Sequence, residues 1–142
     1  MDAKDARDAL EQIAQTRVNV AARSKAPSGY YAALGVTQAL FLISFTLESP
    51  WSFLLPISGI AAVGFLAGWY RSSAGTWGLG DMKGEGSWLF WLIVAVTIIA
   101  FALVIILQTV LVGLVSGGVV FITWATLGPL WDRAYQSQVA QR

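Results

Sequence analysis

The sequence predicts an all-α polytopic membrane protein, with four transmembrane helices preceded by an amphipathic helix. Three observations predict it. Apolar residues make up 56% of the 142 residues and charged residues only 12%, about half the share of an ordinary soluble domain. The apolar residues fall in four long stretches that hold no Asp, Glu, Lys or Arg. All nine Lys and Arg lie in segments that a four-pass chain places on one side. A small soluble domain could not bury four uncharged helices and still keep enough polar residues to face water.

Residues 1–29 form a polar leader. Within it, 3–23 (AKDARDALEQIAQTRVNVAAR) is dominated by strong helix formers. At 100° per residue, Ala6, Leu10, Ile13, Ala14, Val20 and Ala21 share one face, on which Arg17 intrudes. Asp5, Asp8 and Glu11 come early and Arg17 and Arg23 late, which suits the helix dipole. Large apolar side chains are few and the charges are mixed. The expectation is therefore a solvated or lightly docked lead-in rather than an interfacial anchor. Pro27 ends this helix, and Ser28-Gly29 joins it to the first span. The leader is too long and too charged to be expected as a cleavable signal.

The bundle is expected over 30–131, with spans at 30–47, 51–70, 88–107 and 110–131. A bilayer core takes about twenty apolar residues per helix. The first span is short, holds eight Leu, Ile, Val or Phe residues and has Gln38 at its midpoint. The third holds fourteen such residues, each contributing roughly −0.3 to −0.6 kcal/mol to insertion near the helix centre. As one helix the run 88–131 would be about 66 Å long, twice a bilayer, so it must turn back. Gln108-Thr109, followed by Gly113, is the first polar pair near its middle and places the turn there. The loop 71–87 (RSSAGTWGLGDMKGEGS) is Gly-rich, but Lys83 is followed by Gly84 and membrane helices flank it. It therefore lacks the phosphate-cradling G-x-x-x-x-G-K-[ST] context and reads as a flexible connector, with Trp77 near the membrane surface. Residues 132–142 are a tail.

Orientation follows from charge. Lys4, Arg7, Arg17, Arg23 and Lys25 precede the first span, Arg71 and Lys83 lie in the Gly-rich loop, and Arg133 and Arg142 follow the fourth span. The turns near Glu48-Ser49-Pro50 and Gln108-Thr109 hold none. The positive-inside rule then puts both termini and the Gly-rich loop in the cytoplasm. Tyr30, Tyr31, Trp69, Tyr70, Trp88, Trp91 and Trp131 fall at the expected cytoplasmic ends, and Trp51 and Phe53 at the other face. Amphipathic rings prefer the headgroup level.

The chain has no Cys and no His, which removes thiol chemistry, disulfides and the commonest metal ligand and general base. No cofactor is expected, and a net charge of +1 argues against nucleic acid. The acids Asp2, Asp5, Asp8, Glu11, Glu48, Asp81, Glu85 and Asp132 are all expected outside the hydrocarbon, so proton coupling has no obvious carrier. Gln38, Thr97, Ser116 and Thr123 are the candidates for buried polar contacts or a path lining, with packing contacts preferred. Gly64 and Gly68 on the second span, and Gly113 and Gly117 on the fourth, form G-x-x-x-G spacings, and Gly35 with Ala39 is similar on the first. Such spacings let helix backbones approach closely.

The stretch Ala21-Ala22-Arg23-Ser24-Lys25-Ala26-Pro27-Ser28-Gly29-Tyr30-Tyr31, then Gly35, resembles small uncharacterised four-helix integral membrane proteins of high-GC Gram-positive (actinobacterial) bacteria. In these a helical leader ends in a basic, Pro-containing joint before an aromatic pair. Their usual Trp before the Tyr pair is Gly29 here. The resemblance covers about a third of the chain and implies topology and a bacterial cytoplasmic membrane, with no activity. The expected function is non-enzymatic, through a homo-oligomer or as an accessory subunit with another membrane protein. The alternative is a small, oligomeric, uncoupled transporter or channel.

Overall fold

The computed structural model describes residues 3–23, 25–74 and 86–141. Most of the Gly-rich loop, with Trp77 and Lys83, lies outside the described residues. The described residues form five helices: α1 (Ala3–Arg23), α2 (Tyr30–Ser44), α3 (Trp51–Ala74), α4 (Ser87–Leu107) and α5 (Val110–Gln141). Hydrocarbon offers a backbone no hydrogen-bond partner, so a chain this apolar must satisfy its N–H and C=O groups within helices.

Three segments are long and apolar enough to cross a membrane: Trp51–Ser73, Ser87–Leu107 and Val110–Ser137. The expected first span does not reach that length. Its helix stops at Ser44 after 15 residues, about 22 Å against a core of about 30 Å. From Phe45 to Leu47 the backbone N–H groups bond three residues back, to Leu42, Ile43 and Ser44, so the helix tightens into turns before the Pro50 corner. The Ser44 and Thr46 hydroxyls compete for carbonyls of the same last turn, at Phe41 and Ile43.

The expected tail is instead helical. α5 has 32 residues and continues through Pro129 to Gln141, about 48 Å and longer than the hydrocarbon is thick. The corner between α4 and α5 is tight. Gln108 takes a left-handed conformation at φ 47° and its N–H bonds the Val104 carbonyl. Thr109 then opens α5, its hydroxyl oxygen 3.4 Å from the Val112 nitrogen and its carbonyl accepting from Gly113 N–H. Two starts depend on glycine, Gly29 (φ 82°) before α2 and Gly86 (φ 106°) before α4, where a side chain would be strained.

α2 and α5 pair along most of their length and form the centre. α3 flanks α2, α4 flanks α5, and α1 rests against α5. The core is Leu42, Ala100, Val104 and Val120, with Phe101, Val112 and Trp124 packed on it. Phe41, Phe45 and Phe101 stack at 5.2–5.8 Å between ring centres, tying α2 to α4 on one side of the central pair. The outer faces carry large apolar side chains, among them Ile60, Phe65, Ile106 and Leu111. Leu10 and Ile13, on the apolar face expected for α1, are also exposed.

Candidate functional site

The glycines set how close the central helices come. A Cβ on Gly35 would stand 3.1 Å from both the Phe121 carbonyl oxygen and Trp124 Cβ. One on Gly117 would stand 3.2 Å from the Ala39 carbonyl oxygen, and one on Gly113 would stand 2.7 Å from Thr46 Oγ1. These contacts run antiparallel, with Gly35 and Gly117 against neighbouring backbone and Gly113 against the Thr46 side chain. Gly128, which the sequence did not single out, extends the row, because a side chain there would enter the Tyr31 ring. Gly64 and Gly68 behave differently: among the described residues nothing lies within 4 Å of a Cβ at either position. Among the described residues this pair packs against no neighbouring helix, because α3 turns its other face to α2. Leu66, on that other face, is buried.

Of the four polar candidates, Gln38 and Thr97 come together. Both line a lateral cavity of about 370 Å³ between α2, α3 and α4, whose walls are otherwise mainly apolar, including Phe41, Ile60, Val63 and Phe101. Gln38 Oε1 accepts a 3.0 Å hydrogen bond from Trp124 Nε1 across the α2–α5 contact. The Thr97 hydroxyl donates to Ile93 O of its own helix at 2.8 Å. Thr123 does the same to Val119 O at 2.7 Å. Ser116 is buried on α5. Neither Ser116 nor Thr123 lines the cavity. Most of this polarity is thus spent inside the chain, as hydrocarbon requires. Trp124 was missed as the partner of Gln38. Its signal was position: it lies deep in a span, whereas most other Trp sit at span ends, and a buried indole N–H needs an acceptor.

The second polar site lies where the leader joint meets α5. Asp132 is expected outside the hydrocarbon, just after the fourth span. There it is only 6% exposed. Its Oδ2 accepts from Ala26 N–H at 3.3 Å and from Gln136 Nε2 at 3.0 Å, and the Tyr31 hydroxyl is within hydrogen-bonding reach. Helix α5 continues past the expected span end and so carries this carboxylate under the joint. Around it lie aromatic rings. Tyr30 packs on Tyr31 at 5.3 Å and on Tyr70 at 5.1 Å, and Trp131 packs on Phe90 at 5.5 Å. The carboxylate thus ties the joint to α5. Comparison with protein-family models, curated proteins and solved structures found no match.

Proposed function

We propose that the chain is a four-crossing membrane protein that acts without catalysis, by assembling with further copies of itself through the outer face of α3. The observation that carries this reading is the unused small-residue face. Among the described residues Gly64 and Gly68 meet nothing within 4 Å, although Gly35 on α2 and Gly113 and Gly117 on α5 are in tight contact. A flat Gly face on a membrane helix gains from van der Waals packing against another helix and gains nothing comparable from lipid. Helix α3 has α2 as its main neighbour, which leaves that face available.

The fourth crossing is supported by register. Tyr31 lies at Gly128 and Thr46 at Gly113, so α2 and its closing turns cover the same height as the apolar part of α5. Three turn residues at about 2 Å each bring the 15-residue helix to about 28 Å, close to the core thickness. The Lys and Arg distribution supports termini on the cytoplasmic side. An uncoupled transporter or channel draws less support, since Gln38 Oε1 and the Thr97 and Thr123 hydroxyls are occupied within the chain.

The test is mass measurement by light scattering in a mild detergent. The purified chain should run as a dimer or larger. Gly64→Leu with Gly68→Leu should reduce it to a monomer, while Gly118→Leu, also facing open space, should not. A strictly monomeric wild-type protein refutes the reading.

A further inference from the structure

The joint between α1 and α2 encloses a cavity of about 280 Å³ against α5, with Lys25, Ser28, Gly29, Tyr31, Asp132 and Arg133 in its wall. We propose that this cavity binds a phosphate group at the headgroup level of the bilayer, as carried by an anionic phospholipid.

Three features point to an anion. Lys25 and Arg133 are both exposed, so their charges are hydrated and available. Asp132 lies in the wall, but it is buried, and its Oδ2 is already occupied by the Ala26 N–H and Gln136. One cation's worth of charge remains uncompensated among the three. The third feature is the first turn of α2, which opens onto the cavity. The Tyr30 N–H is taken by the Pro27 carbonyl and that of Ala33 by the Gly29 carbonyl, which leaves Tyr31 and Ala32 N–H without an acceptor in their own helix, and the helix dipole favours negative charge there. Gly29, in its left-handed conformation, brings the chain into that turn without a side chain over it.

Position selects the source. The cavity lies beside Tyr30, Tyr31 and Tyr70, at the end of the bundle where amphipathic rings meet headgroups. Basic pockets between membrane helices at this level suit lipid phosphates, and each Lys or Arg near an anionic surface strengthens binding about fivefold. This cavity needs only helices that cross a bilayer, so a monomeric result in the assembly test leaves the phosphate site standing.

The experiment is native mass spectrometry of the full chain in a neutral detergent. It is titrated with dioleoyl-phosphatidylglycerol and, separately, with sn-glycerol 3-phosphate. Lys25→Gln with Arg133→Gln should weaken binding about 25-fold. Arg7→Gln with Arg71→Gln removes the same charge away from the cavity and should cost less than about threefold. All four side chains are exposed, so both variants should keep the wild-type thermal unfolding. Tighter binding of the lipid identifies the headgroup as source, and equal binding of both probes identifies a soluble phosphoester in the same site. A loss in the Lys25 and Arg133 variant no larger than in the control, or no binding of either probe, overturns the proposal.

Discussion

Replacing Gly117 by Val should destabilise the bundle, whereas the same change at Gly118 should not. The two glycines are neighbours on α5, so the change in helix propensity and the depth in the bilayer are nearly the same for both. Only the facing surface differs. At Gly117 the new Cβ would lie 3.2 Å from the Ala39 carbonyl oxygen and 3.4 Å from both Ala39 Cβ and Ile43 Cδ1. The nearest of these is backbone and cannot swing aside, and the two added methyls reach farther still. Helices α2 and α5 must therefore move apart along the contact that forms the centre of the fold. Overpacking of this kind costs about 1–3 kcal/mol, roughly five- to 150-fold in the folding equilibrium. At Gly118 no described residue lies within 4 Å, so a Val there displaces no helix. The assay is unfolding in mixed micelles with rising SDS, followed by Trp fluorescence, with both variants compared to wild type. Equal destabilisation by both, or none at Gly117, would refute the assignment of the α2–α5 contact.

Two further results are expected. A double-mutant cycle on Gln38→Leu and Trp124→Phe in the same unfolding assay should give a coupling of about 0.6 kcal/mol, and no more than about 1.7, typical of interhelical hydrogen bonds in membranes; additive single effects would show that their 3.0 Å contact contributes no stability. Asp132→Leu should leave the Ala26 N–H unpaired, costing about 1–3 kcal/mol, and limited proteolysis should then cleave near residues 24–29 faster than in wild type, while unchanged cleavage would mean that the carboxylate does not hold the joint.

The sequence by itself determined that the chain is helical, with helices long and apolar enough to cross a membrane. Low charge, long uncharged stretches and the grouping of Lys and Arg are properties of composition and order, and they need no knowledge of what touches what. The limits of the leader helix at 3–23 and the turn at Gln108-Thr109 were equally local, because capping and helix breaking act within a few residues. The helix of the first span ends earlier than hydropathy suggests for the same reason reversed: Phe45 and Leu47 are apolar enough to continue it, but hydropathy does not register the hydroxyls of Ser44 and Thr46 taking the last carbonyls. Which faces meet was decided only by the tertiary structure. In a soluble helix an apolar stripe marks the inside, but in lipid both sides of a helix are apolar and the pattern carries little about rotation. Gly64 and Gly117 stand in the same G-x-x-x-G spacing, yet one meets no described residue and the other a neighbouring backbone. Asp132 likewise looked like a residue just beyond a span. Its burial depended on α5 running on as a helix and on a joint more than a hundred residues earlier in the chain folding over it.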